Sequence, residues 1–110
     1  MTETIIESSG NIFADLKVSN PEEALAKAEL SRKIQKTIIS RKLTQMQAAH
    51  VLNLKQPDVS DLFRGRLHKF SLDRLIHLLN LLDWDVDIVI KRKSAKAPSG
   101  ATHVIAAHYS

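Results

Sequence analysis

Cysteine is absent from the chain, which excludes disulfide bonds and thiolate metal ligands and is compatible with a reducing compartment. Long apolar runs are also missing, because no stretch approaches the roughly 20 residues that cross a bilayer. The first four residues lack the basic character of a secretory signal. The sequence therefore predicts a soluble, cytoplasmic protein without membrane contact.

Glycine and aromatic residues are scarce, with three glycines in all and 5% aromatic content. So few glycines leave little material for a phosphate-binding loop, and neither a nucleophile elbow nor a pair of catalytic carboxylates is evident. Stacking on single-stranded nucleic acid is disfavoured because no basic stripe interleaves with the rings, so we expect Trp84 and Phe63 to pack in the core or a dimer interface. We predict no enzymatic activity and no cofactor.

The five histidines do not form a recognisable metal site. His50, His68 and His77 fall in three different predicted elements, and no Asp or Glu spacing completes a ligand set around them. His103 and His108 lie in a breaker-rich tail, where two ligands on a flexible chain make a poor site. We predict surface or half-buried histidines and no bound metal.

The chain of 110 residues, 44% of them hydrophobic, suits one compact domain with a modest core. Its net charge of +4 is unevenly distributed. Residues 1–30 are acidic, whereas basic residues outnumber acidic ones from Arg32 to Lys96. This excess favours a polyanionic partner, although charge alone leaves a solvated basic face equally open.

A long first helix is predicted to begin at Asn20, because Asn caps free amides and Pro21 suits the first helical position. Glu22 and Glu23 favour the positive end of the same helix. The helix is expected to run to about Lys42. Its core face is predicted from apolar residues that recur every fourth position: Leu30, Ile34 and Ile38.

Two short helices joined by a tight turn are predicted next. Thr44 caps the first, which turns Ala48, Ala49 and Leu52 inward. Asn53 occupies the turn because Asn tolerates the left-handed conformation. The second short helix opens at residues 55–58, with Pro57 early, and ends at Gly65. Its predicted buried residues are Val59 and Leu62.

A fourth helix is predicted from Ser71, with apolar residues at helical spacings: Leu72, Leu75, Ile76, Leu79 and Leu82. The period then changes to two, which predicts a strand through Val86, Ile88 and Ile90. No convincing internal partner for this strand is evident. We therefore expect it to pair with its copy in a symmetric homodimer, with an unpaired edge strand as the alternative.

Four segments are predicted along the chain. Residues 1–19 form an N-terminal segment with a short helical turn at 11–16, whose Ile12, Phe13 and Leu16 dock onto the body. Residues 20–83 form the helical domain and 84–93 the dimerisation strand, with its predicted contacts at Trp84, Val86, Ile88 and Ile90. Residues 94–110 are expected to be a flexible tail, and its last stretch is ambiguous between disorder and a weak docking strand.

Residues 43–66 resemble the Cro/repressor (XRE-type) helix-turn-helix family. The resemblance is carried by Leu43-Thr44-Gln45, Ala49, Leu52, Val59-Ser60 and Gly65. It implies a mainly α, lambda-repressor-like bundle that binds double-stranded operator DNA as a dimer and regulates transcription. Residues 8–16, 56–62 and 69–75 further resemble a subgroup related to antitoxins of host-inhibition-of-growth modules.

The family resemblance implies a recognition helix over residues 56–64, whose early side chains lie over base edges. Gln56 is expected to bond adenine, Ser60 to reach a base or a phosphate, and Asp61 to accept from cytosine. Gln45 is expected to meet a phosphate at the start of the preceding helix. Ordinary solvent exposure is the alternative for Gln56 and Ser60.

Cations flank the same helix and are expected to neutralise phosphates with little sequence preference: Lys55, Arg64, Arg66 and Lys69. Pro57 completes the predicted DNA-binding set. An alternative for Arg64 is an ion pair with Asp61, one turn earlier. The second functional hypothesis is an antitoxin that neutralises a small ribonuclease toxin, through residues 12–16 or the exposed face of the first helix, and autoregulates its operon.

Overall fold

A computed structural model describes residues 3–4 and 20–106 of the chain. Within these residues four α-helices are flanked by two short strands, in the order β1 (Glu3–Thr4), α1 (Asn20–Ser40), α2 (Gln45–Leu52), α3 (Gln56–Phe63), α4 (Leu72–Leu81) and β2 (Val89–Ile90). The predicted mainly helical fold with four helices is confirmed. The predicted helical turn at 11–16 lies outside the described residues.

The core forms where α1 and α4 pack together and α2 and α3 close over them. The predicted stripe of α1 is confirmed, because Leu30, Ile34 and Ile38 are each at most 5% exposed. Phe70, in the loop between α3 and α4, is fully buried although its sequence context gave no periodic signal. The other buried apolar residues are Ala26, Ala48, Ala49, Leu52, Val59, Leu62, Leu72, Leu75, Leu78, Leu79 and Leu82.

Two helices begin with the predicted side-chain caps. The Thr44 hydroxyl accepts from the amide of Gln47 at 3.1 Å, and the Gln47 side chain accepts from the amide of Thr44 at 2.8 Å, which completes a capping box. The Ser71 hydroxyl accepts from the amide of Arg74 at 3.0 Å. These local contacts pair free amides in the first turns of α2 and α4.

Each helix ends in the same way, on a residue with left-handed backbone. The φ angles are 56° at Lys42, 53° at Asn53, 73° at Gly65 and 68° at Asp83. At each end the left-handed residue donates its amide to the carbonyl three residues earlier, and the next amide bonds the carbonyl five residues earlier. This is the Schellman pattern, which satisfies the last carbonyls of a helix. It ends α1 at Ser40, close to the predicted Lys42.

The segment after α4 is fastened to α1 through Trp84. Its indole Nε1 donates to the Thr37 hydroxyl at 3.0 Å, and the Lys33 ammonium lies 3.9 Å from the ring centroid. Arg41, directly after α1, donates to the Leu82 carbonyl oxygen at 2.6 Å. Thus the chain that leaves α4 runs back along its own first helix.

The expectation that the C-terminal strand has no internal partner is wrong. β2 pairs antiparallel with β1 of the same chain, with Glu3 opposite Ile90 and Thr4 opposite Val89. The strand is also shorter than its alternating pattern predicts, because only Val89–Ile90 has strand structure. Residues 84–88 instead follow the helical bundle, with Val86 packed against the core.

Residues 91–106 contain no helix or strand, yet their last part contacts the domain. The Thr102 amide donates to the Glu22 carboxylate at 3.0 Å, and Val104 packs against the core. For residues 101–106 these contacts match the docking alternative, although without strand structure; residues 107–110 lie outside the described residues. Throughout the described part of the chain, no helix is both long and apolar enough to cross a membrane.

Candidate nucleic-acid interface

The two short helices α2 and α3 are held at a fixed angle by a three-residue connection, from Asn53 to Lys55. Asn53 supplies the left-handed turn, as predicted. Ala49 and Leu52 of α2 and Val59 and Leu62 of α3 are all buried, so small and branched apolar side chains fill the angle between the helices. The geometry is that of a helix-turn-helix unit.

One face of α3 is available to a partner. Gln56, Pro57 and Arg64 are exposed and Ser60 is half-buried, whereas Val59 and Leu62 point into the core. Because α-helical residues recur every 3.6 positions, Pro57, Ser60 and Arg64 follow one another along the outer side, with Gln56 at its edge. These four residues of the predicted DNA-binding set therefore share one surface.

The residues predicted to contact phosphates lie around that surface, but not all of them are free of ion pairs. Gln45 is exposed at the first position of α2, and Lys55, Arg64 and Arg66 are exposed at the two ends of α3. Among the described residues none of these three cations forms an ion pair, so each is free to meet a phosphate. The alternative pairing of Arg64 with Asp61 is not observed.

Lys69 differs from these cations because its ammonium forms ion pairs with the two carboxylates of α3. Its ammonium lies 2.7 Å from Asp58 Oδ1 and 2.5 Å from Asp61 Oδ2. Arg74 of α4 adds a fourth charge, 3.9 Å from Asp58 Oδ2, and lies over the ring of Phe70. We call these four residues, Asp58, Asp61, Lys69 and Arg74, the Lys69 cluster.

The electrostatics of the Lys69 cluster favour the charged states of Asp58 and Lys69. The side-chain hydrogen bond from Lys69 lowers the pKa of Asp58 from its usual 3.8, with further help from the positive charges of Arg74 and Lys55. The hydrogen bonds to Asp58 and Asp61 raise the pKa of Lys69 above its usual 10.5. Two carboxylates and two cations balance, so the cluster carries no net charge.

A second anchor holds the last turn of α3 against α1. The side-chain amide of Gln35 on α1 donates to the Leu62 carbonyl oxygen at 2.8 Å and to the Ser31 hydroxyl at 2.9 Å. Ser31, which is 2% exposed, also directs its hydroxyl at the Leu62 carbonyl, at 3.5 Å. This anchor and the Lys69 cluster were missed from the sequence because their partners lie on separate elements.

The predicted dimerisation residues are divided between inside and outside. Trp84 is half-buried against α1 of its own chain, as described above, and Val86 and Ile88 are half-buried as well. Ile90 is 40% exposed, and its neighbour Val89 is 59% exposed. The apolar surface left open on this segment is therefore concentrated at β2.

The histidines described by the structure form no metal centre. No group of three or more His, Asp or Glu side chains suited to a metal ion occurs in the described residues. His50, His68, His77 and His103 are exposed on different parts of the chain. His108 lies outside the described residues.

Comparisons with known proteins agree with this geometry. The family model for a helix-turn-helix domain matches residues 12–91. A solved structure named "Putative XRE Family Transcriptional Regulator" is 38% identical, with a TM-score of 0.76, and the match covers 81% of this chain and 100% of that chain. Among curated proteins, none matches the sequence significantly. Together with the packing of α2 against α3, the family match and this structural likeness show that the chain belongs to the XRE-type helix-turn-helix family.

Proposed function

We propose that the protein is a sequence-specific, DNA-binding transcriptional regulator that acts as a homodimer. The single observation that carries the proposal is the outer face of α3, where Gln56, Pro57, Ser60 and Arg64 are presented by a helix whose inner face is fixed in the core. A helix held in this way fits the DNA major groove, where side chains read base edges. The regulator name of the solved relative supports the same role.

Roles within this surface follow from side-chain chemistry. Gln56 pairs with adenine through its amide, and Ser60 bonds a base or a phosphate. Gln45, Lys55, Arg64 and Arg66 neutralise or bond the phosphate backbone on either side, which sets affinity more than sequence preference.

The homodimer is supported by the surface around β2. Within the described residues no third strand joins the β1–β2 sheet, and Val89 and Ile90 add exposed apolar side chains to it. A second copy of the chain that packs against β2 buries both the edge of this strand and its two exposed apolar side chains. A twofold dimer of this kind binds two half-sites, so the operator is expected to be a partial palindrome.

The test measures binding of the full chain to the duplex upstream of its own gene and to a scrambled duplex of equal length, at several salt concentrations. A preference of about 1,000-fold or more for the upstream duplex is expected of a specific regulator. Light scattering gives the oligomeric state in the same buffers. A folded protein that binds both duplexes equally would overturn the regulator, and a monomer in the operator complex would overturn the dimer.

A second candidate function is an antitoxin that binds and neutralises a small ribonuclease. The observation that favours a protein partner is on the outer face of α1, where Leu25 and Ile39 are 69% and 65% exposed. They are separated by four helical turns and therefore project from nearly the same side of α1. Co-expression with a small basic protein encoded beside the gene tests this role. Failure to co-purify, or unchanged ribonuclease activity, would reject it.

A further inference from the structure

The Lys69 cluster bears directly on how the recognition helix meets DNA. Two carboxylates on α3 would repel phosphates if they were uncompensated, because like charges at close range are unfavourable. Both are only about one-fifth exposed, with side-chain exposures of 20% for Asp58 and 19% for Asp61, and both are directed at Lys69. They thus face the loop between α3 and α4, away from the outer surface that carries Gln56.

We propose that Lys69 is a positioning residue, which neutralises Asp58 and Asp61 and fixes α3 against the α3–α4 loop, and that it is not a phosphate ligand. This inference rests on the proposed DNA-binding function. It also removes Asp61 from base readout, since its carboxylate is engaged by Lys69. Specificity then depends on Gln56 and Ser60, with phosphate contacts left to Lys55, Arg64 and Arg66.

Charge balance explains why Lys69 stays with the carboxylates. An ammonium that turned to a phosphate would gain one anion and abandon two, which would then lie near the DNA backbone without compensation. Arg74 covers only Asp58, at 3.9 Å, and also contacts the Phe70 ring, so it does not replace Lys69 at Asp61. The cluster is therefore a closed unit at the side of the recognition helix.

The substitution K69M weakens DNA binding under either role, so a compensating change is needed to separate them. The double variant K69M/D61N keeps the net charge of the wild type and removes the carboxylate that K69M exposes. Its matched control is K69M/D85N, which has the same net charge but leaves Asp61 in place. Asp85 is exposed and, within the described residues, forms no ion pair.

Affinity for the upstream duplex and its dependence on salt are measured for all four proteins, the wild type included. A positioning role predicts that K69M binds the duplex at least about fivefold more weakly than the wild type. The affinity of K69M/D61N is then expected to return to within about threefold of the wild type, with the same salt slope. K69M/D85N is expected to bind as weakly as K69M. A phosphate ligand instead predicts that K69M/D61N stays weak and loses about 0.9 from the slope of log affinity against log salt. The latter result would overturn the proposal.

The single variant D61N supplies a second readout that does not depend on the folding of K69M. A positioning role predicts an unchanged base preference, whereas a cytosine-reading Asp61 predicts relaxed preference at one position of each half-site. Relaxed preference would also overturn the proposal. If the folded wild type shows no specific binding, the proposed function fails instead. The coupling of Lys69 with Asp61 is then still measurable from urea unfolding of K69M, D61N and K69M/D61N.

Discussion

The side-chain amide of Gln35 donates a 2.8 Å hydrogen bond to the carbonyl oxygen of Leu62, and so joins the middle of α1 to the last turn of α3. The same carbonyl also accepts the Gly65 amide at the end of α3, so Gln35 adds a second hydrogen bond to it from another helix. It also fixes the position of α3 along α1. Gln35 therefore links the stability of the domain to the placement of its candidate DNA surface.

Replacing Gln35 with Met is expected to lower the free energy of unfolding by about 1–2 kcal/mol, because a partly buried hydrogen bond is lost while the side-chain volume is kept. Urea unfolding followed by circular dichroism measures the change. Lys36→Met is the control, since Lys36 is exposed on the same helix. Equal effects of the two substitutions would show that the Gln35 contact contributes nothing.

The left-handed residues at the helix ends predict an unusual stabilising substitution. Lys42 adopts φ 56° without the short polar side chain that eases this conformation in Asn53. Lys42→Gly is therefore expected to raise the free energy of unfolding by about 0.5–1 kcal/mol, after the entropic cost of glycine in the unfolded chain. Asn53→Gly is expected to change it little. Thermal unfolding measures both, and a destabilised Lys42→Gly would contradict the expectation.

The Thr37–Trp84 hydrogen bond predicts a change that fluorescence can follow. Thr37→Val keeps the shape of the side chain but removes the acceptor of the indole N–H, at a cost of about 1–3 kcal/mol. We expect lower stability and altered emission from Trp84, which is the only tryptophan. Thr37→Ser keeps a hydroxyl and is expected to behave more like the wild type. Unaltered emission and stability in Thr37→Val would refute the role of this bond.

The Lys69 cluster predicts how stability depends on pH. The pKa of Asp58 is lowered from 3.8 in the folded state, so its contribution is fully present above that value and is lost as pH falls through the folded pKa. The pKa of Lys69 is raised above 10.5, so its contribution is lost only as pH rises beyond that value. Asp58→Asn is expected to flatten the acid limb of the stability curve. Urea midpoints from pH 7 downward test this, and identical acid limbs in variant and wild type would disprove it.

Residues at the DNA surface are expected to separate into two classes. Gln56→Ala relaxes the base preference, with a loss of about 1–3 kcal/mol against the preferred base, and leaves the salt slope unchanged. Arg66→Ala weakens binding to all sequences alike and lowers the slope by about 0.9. Titrations of operator and scrambled duplexes measure both quantities. If the two variants behave identically, the assigned roles are incorrect.

The predictable parts of the fold are those that depend on neighbouring residues. Thr44, Asn53 and Ser71 mark helix ends by local chemistry, and the apolar spacings of α1 and α4 reveal their buried faces. The β1–β2 pair was not predictable, because two residues of Glu3–Thr4 carry no periodic pattern and pair through their backbone. The alternating residues after α4 suggested a longer strand, since burial against the helices produces the same alternation.

The candidate site was predictable to a similar degree. The exposed face of α3 follows from helical spacing, and the structure places Gln56, Pro57, Ser60 and Arg64 along it. The partners of its carboxylates did not follow, because Lys69 reaches Asp58 and Asp61 from a loop whose path is set by the burial of Phe70. The sequence alone does not distinguish a lysine that flanks the helix and contacts phosphates from a lysine that bridges two carboxylates.

The pairing of Glu3–Thr4 with Val89–Ile90 joins a strand that precedes the four helices in the chain to one that follows them. β1 precedes the four helices in the chain and β2 follows them, so β1 has no strand partner until α1 to α4 have been synthesised. The pair brings together residues far apart in the chain, and such contacts form late because the loop between them must close first. The last contact of the domain to form is therefore expected to involve β1, the strand that is synthesised before the helices.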